Sequence, residues 1–147
     1  MLFRSLVLML SGGWQEWSEF GTNRLSIDLG RGAVKVLDRN FDDTWYLGGA
    51  FHWRMASGSV LSAGIKYDSS PVSDSDRTLD MPFDETWTFS ANLTRGEKEG
   101  FGYALGGSLI YAGEGSVDQV AQGVRIKGDF DANFMLFLGG TMRYVFD

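Results

Sequence analysis

The sequence has no cysteine, one histidine and only two prolines in 147 residues. The absence of cysteine excludes a disulfide scaffold, a thiolate metal site and a cysteine nucleophile. The single histidine, His52, excludes a metal centre with two histidine ligands, and the G-x-S-x-G motif of serine hydrolases does not occur. The acidic segments lack the ligand pattern of a calcium loop. We therefore expect no enzymatic activity, no metal and no cofactor.

Long apolar runs are also missing. No stretch approaches the roughly 20 consecutive apolar residues that a membrane-spanning helix needs, which excludes a helical membrane protein. The net charge of −6 and the isoelectric point near 4.7 argue against nucleic acid as a partner, because phosphates require a basic surface. The acids fall mostly in expected loops, where solvated charge explains them.

The first residues contain a short apolar run, 6–10, that could be mistaken for a signal peptide. It is too short for the hydrophobic region of such a peptide, and Ser11-Gly12-Gly13 matches a cleavage site poorly. We interpret it as a strand of a chain whose true N-terminus lies upstream.

Glycine and aromatic residues are abundant, with 20 Gly, 11 Phe, five Tyr and five Trp. Combined with the scarcity of proline, this composition favours a sheet protein, because proline removes ladder donors and glycine permits turns and close strand approach. A chain of this length suits one ordinary domain, so residues 1–147 are treated as a single domain.

The main signal is an alternation of apolar and polar residues with period two. The segment 85–95, ETWTFSANLTR, places Trp87 and Phe89 on one face and Thr88 and Ser90 on the other. The same alternation recurs in four further segments and, less regularly, in a fifth: 44–55, 59–68, 101–112 and 134–146, then 6–14. Six strands of about ten residues follow, the length a tilted strand needs to cross a bilayer.

The types of residue on the two faces of the strands distinguish a membrane barrel from a soluble one. The apolar faces carry aromatic residues at both ends, a pattern typical of the interfacial girdles of a membrane barrel: Trp45, Trp53, Trp87, Phe101, Tyr111, Phe134 and Phe146. The polar faces carry charged residues that would be unfavourable in a packed core but suit a wet lumen. The residues expected to line that lumen are Tyr46, His52, Arg54, Lys66 and Arg143. The expected fold is all-β, an antiparallel transmembrane β-barrel segment.

The lengths of the connections support this topology. They alternate between long ones at 20–43, 69–84 and 113–132 and short ones at 56–58 and 96–100. Outer-membrane barrels have short periplasmic turns and longer extracellular loops, which places the C-terminus on the periplasmic side. The segment 23–39 resembles a further, more polar hairpin, which we interpret as an extracellular extension of strands. If its strands crossed the membrane, the alternative would be a small eight-stranded barrel.

Two segments carry recognisable motifs. Residues 14–20 read WQEWSEF, and the segment from Gly64 continues with Y-D-x-S-P-V at 67–72, followed by Arg77, Pro82 and Asp84. The first segment is similar to the W-x-x-W-S-x-F strand end, and the second to a late strand pair, of the FadL/TodX family of outer-membrane transporters. The ending at 128–147 is similar as well, although it closes on Asp147 where the family usually has an aromatic residue. The motif positions we single out are Trp17, Ser18, Phe20, Asp68, Ser70, Pro71 and Val72.

The resemblance implies a fourteen-stranded barrel, plugged by an N-terminal hatch, for passive uptake of long-chain fatty acids or other hydrophobic compounds. This chain would supply its last six strands, as a C-terminal fragment without the hatch. The implied location is the outer membrane of a Gram-negative cell, as a multi-pass protein. Expected partners are membrane lipid, lipopolysaccharide, a hydrophobic substrate and the barrel-assembly machinery. The alternatives are a self-contained small barrel with a structural or adhesive role and, less favoured, a soluble lipid-binding barrel.

Overall fold

The computed structural model describes residues 5–20, 25–28, 34–37, 40–78, 83–96, 100–121 and 124–146. These residues form strands connected by turns and loops, with one short helix. In chain order the elements are β1 (Leu6–Gln15), α1 (Trp17–Phe20), β2 (Leu25–Asp28), β3 (Val34–Leu37), β4 (Thr44–Arg54), β5 (Val60–Asp68), β6 (Thr86–Arg95), β7 (Gly100–Tyr111), β8 (Gly115–Ala121), β9 (Val124–Phe130) and β10 (Phe134–Val145). No helix in these ranges is long and apolar enough to cross a membrane.

Six strands form one antiparallel sheet in the order β1-β4-β5-β6-β7-β10. The six segments with period-two alternation match these six strands to within about a residue at each end, so that part of the prediction is confirmed. The inserted strands pair only with each other, β2 with β3 and β8 with β9. As a result, two small hairpins stand apart from the large sheet.

The register of the sheet keeps the apolar and aromatic side chains on one face and the polar side chains on the other. Trp87 of β6 is aligned with Tyr67 of β5 and Tyr111 of β7, whereas Ser90 is aligned with Ser108. We call the face of Trp87 the aromatic face and the face of Ser90 the polar face. Because side chains alternate along every strand and no pairing shifts the register by one, each face remains continuous from β1 to β10.

The sheet has no hydrophobic core on either face. Among the described residues only Val72, Ala112 and Val117 are buried and apolar, and all three lie outside the six strands of the sheet. On the aromatic face, Leu10 is 90% exposed and Leu138 is 79% exposed. An uncovered apolar face of this size is unfavourable in water. The sheet therefore needs an apolar environment against this face.

The segment 23–39 does contain a hairpin, but its strands β2 and β3 are four residues long. A transmembrane strand needs about 9–11 residues, so the described part of each strand is too short to span a bilayer. These described parts form a separate sheet and do not pair with β1 or β4. Within the residues that the structure describes, the eight-stranded alternative therefore receives no support.

Two local features differ from the sequence interpretation. The segment 113–132, expected to be a loop, contains the hairpin of β8 and β9, seven residues in each strand. The WQEWSEF motif predicts a strand end, but β1 stops at Gln15 and Trp17–Phe20 form one helical turn.

Candidate functional site

The centre of the polar face is an open groove with a volume of about 630 Å³, lined from β4, β5, β6, β7 and β10. A single groove in contact with five strands shows that the sheet curves toward this face. Glycine allows neighbouring strands to approach closely here: a Cβ on Gly64 would lie 3.0 Å from the Cβ of Ala50, and one on Gly106 would lie 3.0 Å from the carbonyl oxygen of Ala91. The Ser90 and Ser108 hydroxyls share a hydrogen bond of 2.7 Å across the groove wall.

The five residues expected to line a lumen all lie on the polar face, but the structure brings only two of them together. The ammonium of Lys66 lies 4.7 Å from the ring centroid of Tyr46. His52 is aligned with Ser62 further along the sheet. The two arginines lie toward the opposite end of the face: Arg54 is aligned with Val60, and Arg143 with Gly102.

Lys66 also forms an ion pair with a residue of the sequence motif. Its Nζ donates to Oδ1 of Asp68 at 2.6 Å, two residues along the same face of β5. The Lys66 side chain is 43% exposed, so the pair is open to water and contributes little to stability. It places one cation and one anion near the end of the polar face from which the long connections leave.

At that end, the last residues of the strands and the connections above them enclose a smaller pocket of about 170 Å³, which we call the mouth pocket. Its floor consists of polar side chains from the strand ends, including Gln15, Thr44, Asp68 and Thr86. Its upper walls come from the connections and are mostly apolar: Trp17, Phe41, Pro71 and Phe83. Sequence reasoning did not predict this pocket, because its walls come from segments far apart in the chain.

Several motif residues stabilise the frame of the mouth pocket. Asp43, just before β4, accepts hydrogen bonds from the Ser18 backbone N–H at 3.0 Å and from the Ser18 hydroxyl at 2.6 Å. The hydrogen bond from the Ser18 side chain, followed by that from its backbone, holds the pKa of Asp43 below its ordinary value. Asp43 therefore caps the first turn of α1, which follows directly after β1 ends at Gln15.

The Ser-Pro-Val part of the motif holds the next connection in place. The Ser70 hydroxyl donates to the carbonyl oxygen of Val72 at 2.8 Å, which closes a tight local turn. The carbonyl oxygen of Pro71 accepts from the backbone N–H of Asp42 at 2.8 Å, and Val72 is buried. These contacts tie the connection after β5 to the residues that precede β4.

Arg77 is a functional candidate whose position the sequence did not reveal. Its side chain is 1% exposed, and it joins three segments. Nε donates to the carbonyl oxygen of Phe83 at 3.0 Å, and Nη1 donates to the carbonyl oxygen of Ser116 on β8 at 2.8 Å. Arg77 also pairs with the carboxylates of Asp74 and, at 3.1 Å, of Asp84. Arg77 therefore connects the loop between β5 and β6 to the β8–β9 hairpin.

Aromatic rings form a row along one end of the aromatic face. The ring centroids of Trp45 and Tyr67 lie 5.0 Å apart, those of Tyr67 and Trp87 4.9 Å apart, and those of Tyr111 and Phe134 5.1 Å apart. The opposite end carries a second set: Trp53, Phe101, Tyr103, Tyr144 and Phe146. Two aromatic rows separated by an aliphatic band are the arrangement that membrane barrels use at the two bilayer interfaces.

The sequence matches the family described as "Outer membrane protein transport protein (OMPP1/FadL/TodX)" over residues 2–146. The chain belongs to the FadL/TodX family. The resemblance found in the motif segments is thereby confirmed, and the family places the chain among outer-membrane transport proteins and not among enzymes. No curated protein sequence gives a match.

A solved structure shows the same fold as this FadL/TodX chain. The crystal structure of a Pseudomonas aeruginosa FadL homologue superimposes with a TM-score of 0.76 at 19% sequence identity. The match covers 100% of this chain and 34% of the homologue, so the chain spans about a third of that protein's length. The expected fold class, a segment of a larger FadL-type barrel, is confirmed, and the described strands form a sheet that does not close.

Proposed function

We propose that the chain forms part of the wall of an outer-membrane channel through which long-chain fatty acids or similar hydrophobic compounds enter the cell passively. The observation that carries this proposal is the contrast between the two faces of the sheet. One face is apolar with an aromatic row at each end, and the other is polar, concave and open. This contrast is the one a barrel wall needs between lipid and lumen.

Lipid is the environment that suits the aromatic face. Leu8 is 73% exposed and Met142 is 74% exposed, on strands at opposite edges of the sheet. Covering such side chains with lipid removes their apolar surface from water, at a gain of about 25 cal/mol per Å². The rows of Trp and Tyr would lie at the headgroups, where an amphipathic ring is most stable.

The polar face suits a passage for an amphiphilic substrate, because it combines cationic and apolar side chains. Lys66 and Arg54 lie on β5 and β4, and either could attract a carboxylate. Apolar side chains lie on the same face at β7 and β10: Ile110, Met135 and Phe137. The acyl chain of a fatty acid could therefore contact one apolar side chain of the wall after another, while its carboxylate stays near a cation. No energy source is required, because the compound moves down its gradient.

The test is uptake of a labelled long-chain fatty acid by cells that produce the complete barrel with Arg54→Ala and Lys66→Ala combined. We expect uptake to fall several-fold, because the lumen loses the cations that attract the carboxylate. The matched control is Lys127→Ala, which removes an exposed cation from β9. Uptake that stays unchanged in the double variant, at equal amounts of protein in the outer membrane, would rule out this role for the polar face.

A further inference from the structure

We propose that Arg95 binds the phosphate of an anionic phospholipid, such as phosphatidylglycerol, on the lipid-facing side of the wall. Arg95 is the last residue of β6 and is exposed, at the end of the sheet where the short connections 56–58 and 96–100 lie. The proposal rests on the proposed function in one respect, because the aromatic face must meet lipid. To that contact it adds one class of lipid and one residue that selects it.

Arg95 differs in charge from the rest of the face on which it lies. The register aligns it with Tyr103 of β7, and it follows Trp87 at an interval of eight residues, so it belongs to the aromatic face. Every other residue on this face of the six described strands is uncharged. A cation on an apolar surface in a membrane is stable only beside an anion or water, because an isolated charge in hydrocarbon is costly.

The position of Arg95 along β6 places it at the level of the lipid headgroups. Trp87, in the aromatic row at the other end, is eight residues away, which is about 27 Å along the strand. With the tilt of about 35–45° that is usual in membrane barrels, this length spans about 20 Å of membrane depth. Trp87 and Arg95 therefore lie near opposite borders of the hydrocarbon layer. A charged side chain costs little there and can reach the headgroups.

The surroundings of Arg95 suit the other parts of a phospholipid. Tyr103 is aligned with it, and the rings of Tyr103 and Phe101 lie with their centroids 6.3 Å apart, at the level that aromatic side chains favour. Closer to the middle of the sheet, Leu93 and Leu105 are aligned and offer an apolar surface to the acyl chains. The guanidinium itself presents paired N–H donors that match two phosphate oxygens.

The charge at the opposite end of β6 indicates which leaflet supplies this lipid. Glu85 directly precedes the strand and is exposed, and a carboxylate there disfavours an anionic headgroup. Arg54 and Arg143 also lie toward the end with the short connections, but they are on the polar face and thus on the other side of the wall. Among the described strands, Arg95 is therefore the arginine that can contact lipid in this leaflet.

The experiment measures which lipid surrounds a fluorophore placed beside Arg95. The 147-residue chain contains no cysteine, so Met142→Cys gives a single labelling position in a complete barrel without other cysteines. Met142 is aligned with Tyr103 and is 74% exposed on the aromatic face, about 10 Å from Arg95 at the usual spacing of strands. The vesicles contain equal parts of phosphatidylcholine and phosphatidylglycerol. Either the first or the second lipid carries a nitroxide quencher high on its acyl chain, and the quenching by the two is compared.

At position 142 we expect phosphatidylglycerol to be enriched about fivefold over phosphatidylcholine, the preference that one arginine at a membrane surface provides. The reference position is Leu136→Cys, six residues along β10 toward the long connections and about 20 Å away on the same face. A label there should be quenched equally by the two lipids.

Three variants separate a local contact from a general effect of charge. Arg95→Gln removes the guanidinium and should equalise the quenching at position 142. The exchange of Thr94→Arg with Arg95→Thr keeps the net charge but moves the guanidinium to the polar face, and it should equalise the quenching as well. Arg125→Gln removes an arginine from the β8–β9 hairpin and should retain the enrichment. Heat-modifiable gel migration of each complete barrel checks that it has folded.

Enrichment that survives in the exchange variant would overturn the proposal, because charge alone and not a contact on the lipid-facing side would then attract the lipid. Equal quenching at position 142 in the parent protein would overturn it too, but would still show that the aromatic face meets lipid, so the proposed function would stand. Absence of quenching by either lipid would refute the lipid-facing assignment and with it both proposals.

Discussion

Arg77 shows how a charged side chain can be buried at the loop end of this molecule. A buried guanidinium is stable only when its donors find acceptors, since its desolvation is costly. Here four acceptors surround it: two backbone carbonyl oxygens and the carboxylates of Asp74 and Asp84. The buried apolar residues among those described, Val72, Ala112 and Val117, also lie outside the six strands of the sheet.

We predict that Arg77→Met weakens the contact between the loop and the β8–β9 hairpin. Removing one partner of a buried charge network costs about 3–5 kcal/mol, and we expect the lower end because Asp74 and Asp84 can regain water. Hydrogen exchange should accelerate for amides of β8, while amides in the middle of β6 keep their protection.

Arg125→Met is the control for that prediction. Arg125 forms a bidentate ion pair with Asp118 on the surface of the hairpin, at 2.7 and 2.6 Å. An exposed ion pair contributes little to stability, so its loss should change exchange much less. Equal effects of the two variants would show that Arg77 has no special role.

The sequence could indicate which face each strand residue occupies, because alternation depends only on neighbours in the chain. It could not reveal the burial of Arg77, whose acceptor on Ser116 lies 39 positions away. The mouth pocket could not be predicted for the same reason, because Phe41 and Phe83 line it together only once the sheet has formed. The five lumen candidates share the polar face, and their role in a lumen stays a prediction. Their spacing along the sheet was not foreseeable from their residue types.

At the scale of elements, β6 offers a direct test of which face meets lipid. Phe89 and Ser90 are neighbours near the middle of the strand and point to opposite faces. We predict that Phe89→Lys costs about 2–4 kcal/mol in the free energy of unfolding from lipid vesicles, the usual penalty for lysine at the bilayer midplane. Ser90→Lys should cost much less, because its ammonium would reach lumen water.

Urea titrations of the complete barrel in vesicles would compare the two variants. The pair controls for position, since both lysines enter at the same depth of the same strand. A larger loss for Ser90→Lys than for Phe89→Lys would invert the assignment of the faces.

The hairpin of β8 and β9 shows where alternation fails as a signal. In β9, Val124 and Ile126 alternate with Arg125 and Lys127, a pattern that could have indicated a strand. In β8, the apolar residues Val117 and Val120 are three positions apart and break the period of two. Val117 is buried at the loop end and not on a sheet face, so its environment does not follow from strand periodicity.

At the scale of the whole molecule, the unpaired edge strands of the sheet determine which further strands can close the barrel. β1 and β10 each have one neighbour in the described sheet, so one side of each strand has no partner there. An unpaired backbone group in lipid costs several kcal/mol, and only a closed barrel removes that cost. The two edge strands are antiparallel to each other across six strands, so an even number of additional strands can close the wall.

We predict that the 147-residue chain refolded by itself in detergent does not show the heat-modifiable gel migration of a closed barrel. The physical reason is that six strands fall short of about eight, the smallest number found in bacterial barrels. The complete Pseudomonas aeruginosa FadL homologue, of which this chain matches 34%, is the positive control on the same gel. A heat-modifiable monomer formed by the chain alone would mean that β1 and β10 meet within one molecule. In that case the wall would be self-contained, and the structural or adhesive role of a small barrel would replace transport as the function to test.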